Sequence, residues 1–221
     1  MIALFDLDGV LIDTETQYSI FWTEIGRLFV PEEPTFANDI KGHSLVSIFA
    51  RYFSSLDLQA EIERRLLSFE KEMHYPYMDG AEDVVVRLKA IGCKTAVVTS
   101  SDKNKMSCVY REHPDMPKLF DKIFTAENSG RSKPAPDCYL NAASFFKSET
   151  KNCLIFEDSL NGLISAKDSG GKVVGLCTTL PKESVTTYSD MVVSNLAEIA
   201  HNENIWKKIV KLADLKTIIT N

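Results

Sequence analysis

No long apolar run, no cluster of basic residues and no paired-cysteine spacing occurs in this 221-residue chain, and each absence narrows what it can be. Without an apolar stretch approaching the roughly 20 residues needed to cross a bilayer, no transmembrane helix is expected. The chain opens on an apolar segment with no basic leader or cleavage signal, which predicts a cytoplasmic location. Formal net charge is -6, from 25 Lys and Arg against 31 Asp and Glu. With no Lys/Arg track either, general binding to nucleic acid is excluded and phosphate recognition must be local. The five cysteines, Cys93, Cys108, Cys138, Cys153 and Cys177, are odd in number and scattered without a CxxC. They read as small buried hydrophobes in a reducing compartment. The hydrophobic share of 44% with 25% charged is that of a soluble globular protein, compatible with a monomer.

What is present starts at the first residue. In MIALFDLDGVLIDT, Ile2, Ala3, Leu4 and Phe5 predict a strand buried on both faces of a parallel sheet. Asp6 and Asp8 lie two apart, so on extended backbone they project the same way where the strand gives out, and Gly9 permits a sharp turn. Two carboxylates side by side repel, and holding them requires a divalent cation, a proton or both. Taken alone, the pair could equally be turn formers.

From Glu15 to Met78 the texture is all-helical. Tyr18, Phe21, Trp22, Ile25, Leu28 and Phe29 recur at helical spacing, as do Leu45, Ile48, Phe49, Tyr52 and Phe53, and then Ile62, Leu66, Phe69 and Met73. Pro31 and Pro34 separate the first two stripes. This predicts a helical cap over residues 15–78, inserted into a core of residues 1–14 and 79–221. Beyond it, strands and helices alternate: strands at Lys94–Thr99, Lys122–Thr125, Asn152–Phe156, Val173–Leu176 and Met191–Val193, and helices at Glu82–Ala90, Lys103–Glu112, Asp137–Phe146, Asn161–Asp168 and Ile205–Leu215. The expected fold class is α/β, a doubly wound parallel sheet with an inserted all-helical cap, and sites in such sheets form at the carboxyl ends of the strands.

The unexplained polar residues fall at those ends. Asp6 and Asp8 end one strand, Thr99 and Ser100 another, Glu157 and Asp158 a third, and Lys133 sits in the loop SKPAPD, held rigid by Pro134 and Pro136. Singly, each is a cap, a turn former or a solvated charge. Together they place four carboxylates, two hydroxyls and one cation on one rim, the donor set of a divalent metal beside an anion site.

DLDGVLIDT, the TSS after a hydrophobic strand, KPAPD and FEDSLNGLISAKDSG together resemble the haloacid dehalogenase-like superfamily of phosphotransferases, and within it the β-phosphoglucomutase-like branch. The likeness runs from Met1 to about Leu176. It implies that Asp6 is the nucleophile, forming an aspartyl phosphate, and that Asp8 is the general acid and base. Thr99, Ser100 and Lys133 would bind the phosphoryl group. Mg²⁺ would be held by Asp6, the backbone carbonyl of Asp8, Glu157 and Asp158. Asp8 could act as an acid near neutrality only if its site raised its pKa from the free value near ~3.9.

Asp8 argues against the dehalogenases proper and against P-type ATPases, which lack an Asp there. Phospho-receiver domains lack both the DxDG strand end and the cap. Within the branch, the mutase pattern has a cap arginine for the second phosphate and a histidine soon after the first strand. Here KGHSLVS supplies Leu45 in place of the arginine, and Tyr18 stands where the histidine would be. Leucine cannot hold a phosphate dianion, so the expected function is hydrolysis of a small phosphorylated metabolite, a sugar phosphate first. A sugar-phosphate mutase is the alternative, and an inorganic pyrophosphatase a weaker one. Lys41, His43 and Arg51 are the cap cations available to a substrate.

Overall fold

The computed structural model describes residues 1–41, 43 and 45–213. Six strands form a single parallel sheet in the order β3-β2-β1-β4-β5-β6, with β1 at Ile2–Phe5, β2 at Lys94–Val98, β3 at Lys122–Phe124, β4 at Cys153–Glu157, β5 at Lys172–Leu176 and β6 at Met191–Val193. The chain winds outward in one direction from β1 and then, from β4, in the other. A crevice therefore opens at the carboxyl ends of β1 and β4, the switch point where doubly wound sheets bind ligands.

The uninterrupted apolar runs are explained by packing on both faces. Ala3, Phe5, Val97, Leu154, Phe156 and Val174 face one layer, and Ile2, Leu4, Ala96, Val98, Ile155 and Val173 the other. Neighbouring strands match ring for ring, Phe5 stacking on Phe156 with centroids 4.4 Å apart.

The cap contains four helices, α1 (Glu15–Phe29), α2 (Phe36–Asp39), α3 (Leu45–Tyr52) and α4 (Leu56–Glu72). The three apolar stripes correspond to α1, α3 and α4. The fourth helix is too short to show a period, but it delivers Phe36 to the buried aromatic cluster of Phe21, Phe49 and Phe53. That cluster is separate from the two flanking the sheet, so the cap has its own core.

The core helices are α5 (Ala81–Ala90), α6 (Lys103–Glu112), α7 (Met116–Leu119), α8 (Asp137–Phe145), α9 (Leu160–Asp168), α10 (Lys182–Thr186), α11 (Leu196–His201) and α12 (Glu203–Leu212). Helices α5, α6, α11 and α12 cover one face through Val84, Val109, Leu196 and Ile209. Helices α8, α9 and α10 cover the other through Ala142, Leu163 and Val185. The closing helix expected to run to Leu215 is α12, and the part from Asp214 on lies outside the described residues. The chain passes between core and cap twice. The two passages pair as a short ribbon, with Ile12 bridged to Tyr77 and the Met78 N–H donating to the Leu11 carbonyl at 2.8 Å.

Candidate active site

Asp6 follows β1 directly. Its backbone N–H donates to the Phe156 carbonyl at 3.0 Å, which extends the ladder to β4 one residue beyond the strand. The chain then folds back, the Leu11 and Ile12 N–H groups donating to the Leu7 carbonyl at 2.8 and 2.9 Å. The turn needs Gly9, which has φ +72° and where a Cβ would lie 2.0 Å from Asp158 Oδ2. The same residue thus permits the turn and lets Asp158 approach β1.

Lys133 supplies the cation. It is 8% exposed, and its Nζ donates to Asp6 Oδ1 at 2.7 Å, Glu157 Oε1 at 2.5 Å and the Val98 carbonyl at 3.3 Å. Burial opposes its charge, but Asp6 and Glu157 prevail and hold its pKa well above the usual lysine value. For Asp6 the balance goes the other way. Burial, with Glu157 and Asp8 adding, outweighs Lys133 and pushes its carboxyl up to about 7.

Glu157, the last residue of β4, is fully enclosed. Its Oε1 also accepts from the Tyr139 hydroxyl at 2.9 Å, and Oε2 accepts from the N–H groups of Asp158 and Ser159 at 2.9 and 3.2 Å. There is room for this carboxylate only because residue 162 is glycine: a Cβ there would lie 1.8 Å from Oε1. Asp158 is held on one side, Oδ2 accepting from Thr178 Oγ1 at 3.2 Å and from the Thr179 hydroxyl. Its other oxygen, Oδ1, is buried without a hydrogen-bond partner among the described residues. Burial, then Glu157 and Asp6, push the Asp158 carboxyl well above the usual range. Asp6, Glu157 and Asp158 each bring one oxygen within 4.8 Å of the others. A buried acceptor without a donor, inside a carboxylate triad, is a site that fits a hard divalent cation.

Asp8 departs from the sequence expectation. Lys105 Nζ donates to Oδ1 and Oδ2, both at 2.7 Å, Thr14 Oγ1 to Oδ1 at 2.6 Å and Ser101 Oγ to Oδ2 at 3.1 Å. Burial would raise the Asp8 pKa, as expected of a general acid, but the Lys105 ammonium and the Thr14 and Ser101 hydroxyls overcome it and leave it below the ordinary carboxylate value. The rim therefore carries two cations, and Asp8 is ionised in this arrangement.

Of the other expected residues, Thr99 is buried at the end of β2, its Oγ1 accepting from the Ser101 N–H at 2.9 Å. Ser100 is exposed on the rim, and Ser101 is the serine that reaches Asp8. In the cap, Lys41 is half-buried and holds down the pKa of Glu15 against burial, the larger effect, and against the nearby Asp8. His43 is exposed, its Nδ1 lying 3.4 Å from Ser47 Oγ. Arg51 lies exposed over the Tyr52 ring. Leu45 packs against the aromatic cap cluster.

Lys105, Thr14, Ser101, Tyr139, Thr178 and Thr179 escaped the sequence reading. Two left a signal. Lys105 is a cation in the first turn of a helix, where the dipole disfavours it, and Thr178 and Thr179 form a hydroxyl pair just past β5, as Thr99 and Ser100 do past β2.

A switch-point cluster in which a buried lysine bridges an aspartate and a glutamate, beside a cation-ready carboxylate triad, is suited to displacement at a phosphate ester. Residues 3–176 match the family model for haloacid dehalogenase-like hydrolase, and the chain belongs to that family. It is 27% identical over 204 residues to the validoxylamine A 7'-phosphate phosphatase of Streptomyces hygroscopicus subsp. limoneus, covering 90% of this chain and 95% of the relative. Against the 6-phosphogluconate phosphatase of Escherichia coli it is 25% identical over 208 residues, covering 89% and 93%. Among solved structures, β-phosphoglucomutase from Clostridium difficile superposes with a TM-score of 0.73 at 21% identity, over 96% of this chain and 98% of that one. The chain is an enzyme of the phosphatase class, with its helical cap and sheet shared with the phosphoglucomutase-like branch.

Proposed function

We propose that this protein is a Mg²⁺-dependent phosphatase that hydrolyses a small phosphorylated metabolite, a sugar phosphate first, through an aspartyl phosphate on Asp6. The observation that carries the reading is Lys133 lying between Asp6 and Glu157, with the partnerless Oδ1 of Asp158 in the same cluster. Asp6, the Asp8 backbone carbonyl, Glu157 and Asp158 would hold Mg²⁺, which when bound supplies positive charge to the transferring phosphoryl oxygens.

The remaining steps belong to the chain. Lys133 and the Thr99 hydroxyl hold the phosphoryl oxygens, and the Asp6 carboxylate attacks phosphorus as the bond to the leaving alcohol breaks. Asp8 gives that alcohol its proton. To do so it has to take up a proton against the pull of the Lys105 ammonium, which holds its pKa down. Water then attacks the phosphorus of the aspartyl phosphate, Asp8 takes back a proton, and inorganic phosphate departs with Asp6 regenerated. The two relatives named as phosphatases of phosphorylated metabolites support this reading. Against a mutase stands Leu45, turned into the cap cluster and unable to grip a second phosphate.

The test is a panel of sugar phosphates, other phosphate monoesters and pyrophosphate with Mg²⁺, scored by released phosphate. Release from monoesters well above release from pyrophosphate is expected. Phosphorus NMR with β-glucose 1-phosphate and catalytic 1,6-bisphosphate completes it: glucose 6-phosphate appearing faster than free phosphate would replace the phosphatase with the mutase.

A further inference from the structure

Lys105 is the second cation of the rim, and the reaction as described leaves it without a role. Only 7% of it is exposed, although it sits in the first turn of α6. Asp102, the N-cap, anchors that turn by accepting from the Lys105 N–H at 2.9 Å. On one side the ammonium forks across both oxygens of Asp8 at 2.7 Å. On the other it lies 4.6 Å from the centroid of the Tyr18 ring. The Tyr18 hydroxyl donates to Glu70 Oε1 at 2.7 Å, and the Tyr75 hydroxyl donates to the Glu70 carbonyl at 2.6 Å. Tyr18 lies on α1 and Glu70 on α4. One buried ammonium thus touches the core's acid/base with one face and two cap helices, through a ring and its hydroxyl, with the other.

We propose that Lys105 is a positioning residue that fixes the carboxylate of Asp8 and makes its orientation depend on the docking of cap helices α1 and α4. The proposal rests on the reading of Asp8 as the general acid and base. Thr14 and Ser101 each hold one oxygen of Asp8 through a neutral hydroxyl, a weaker hold than a charge-assisted bond. Lys105 engages both oxygens and sets the plane. A flexible four-carbon stem does not hold an ammonium in one place unless something confines it, and here the confinement is the face of Tyr18, itself held by the buried Glu70. Displacing the cap would remove that wall and free the ammonium, and Asp8 with it. This also gives Tyr18 a function: it stands where the family pattern has a histidine near the acid/base, and it acts on that group through Lys105.

Leaving-group dependence separates positioning from a structural role. In Lys105→Met, kcat for alkyl phosphates should fall about 100-fold with KM little changed, while single-turnover transfer from p-nitrophenyl phosphate, whose leaving group needs no proton, should fall less than about 5-fold. Tyr18→Leu, which disturbs only the cap side, should show the same pattern at about 10-fold, and Lys105→Arg should recover most of the alkyl rate. Equal losses on both substrates, or none on either, would overturn the proposal. Amine acetylation read by mass spectrometry tests the contact without turnover. Lys105 should be protected relative to the exposed Lys103 of the same turn, and Asp8→Asn or Tyr18→Leu should release it. Labelling of wild-type Lys105 as fast as Lys103 overturns the clamp. A wild-type chain that releases phosphate from no ester overturns the phosphatase reading instead, while protection of Lys105 still supports the clamp.

Discussion

At the strand ends of the core, Asp6, Glu157, Asp158, Lys133 and Lys105 are each less than a tenth exposed and bonded to one another or to the hydroxyls and N–H groups around them. In the cap, the half-buried Lys41 and the exposed His43 lie between α2 and α3, and Arg51 is exposed on α3, around an aromatic interior. The contrast follows from what each side has to do. Phosphoryl transfer is the same reaction for every ester, so its groups gain from rigid placement before substrate arrives. The leaving group differs from one substrate to another, and loosely held cations at the surface of the cap can be altered without disturbing the sheet. Substitutions in the core should therefore act on kcat and on folding, and those of the cap cations on KM.

The largest effect should come from Asp6→Asn. The amide keeps the shape and can still accept from Lys133, so the fold should survive, but the nucleophilic charge is gone and turnover should drop at least about 1,000-fold. Near-normal turnover on the best ester of the panel would move the nucleophile elsewhere. Lys133→Met should remove comparable activity and also destabilise. It leaves Asp6 and Glu157 buried without their shared cation, and breaking a buried ion pair from one side costs about 3–5 kcal/mol. Urea unfolding should show that loss, and an unchanged midpoint would mean that Lys133 serves the substrate alone.

Metal removal should have a smaller effect on stability, with a definite pH dependence. Burial first, with Glu157 and Asp8 helping, lifts the Asp6 carboxyl from 3.8 to about 7 in the folded chain against the opposition of Lys133, and Asp158 is lifted in the same direction. A carboxyl whose pKa is higher folded than unfolded binds its proton more tightly in the native state. The stability from that proton is complete below 3.8 and is lost as pH rises to about 7. Chelated protein should thus melt at a lower temperature at pH 8 than at pH 5.5, and Mg²⁺ should raise the melting temperature more at pH 8, where it takes the proton's place between the carboxylates. Identical Mg²⁺ shifts at both values would show that the triad is not where the ion binds. Phosphate release should stop on chelation at either pH.

The sequence made one side of this comparison legible and left the other obscure. Asp6, Thr99 and the pair Glu157 and Asp158 are legible because each group directly follows an apolar run, and a parallel sheet brings such ends together whatever the loops do. Lys133 was found by its proline-bounded loop. The role of Lys105 is invisible in the sequence because its contact to Asp8 crosses 97 residues and depends on which face of α6 turns inward, and with it goes the cation that sets the direction of the Asp8 pKa against burial. Tyr139 and Gly162, which shape the Glu157 pocket, lie inside helices whose pattern is fully explained by packing. In the cap, α2 was invisible because four residues carry no period, and no periodicity could say whether Lys41, His43 or Arg51 faces the crevice.

The smallest effects should come from those cap cations, and they test the division most directly. Lys41 acts on Glu15, in the first turn of α1, whose carboxyl is pushed up by burial, held down by Lys41 and pushed up again by Asp8. Glu15 therefore lies close enough to the acid/base for its charge to be felt at the mouth of the site. Lys41→Met would remove the larger of the two cationic influences on Glu15, leaving its charge less opposed toward an incoming phosphate dianion, so KM should rise about 5- to 10-fold, no more than about 1.4 kcal/mol, with kcat within about 2-fold of wild type. His43→Ala should change KM by less than about 2-fold, because an exposed ring whose neighbour is a serine hydroxyl at 3.4 Å has little binding energy to lose. Steady-state kinetics on the best ester measures both. A 100-fold loss of kcat in Lys41→Met with KM unchanged would place that cation at the reacting atoms, and the cap would then carry chemistry as well as recognition.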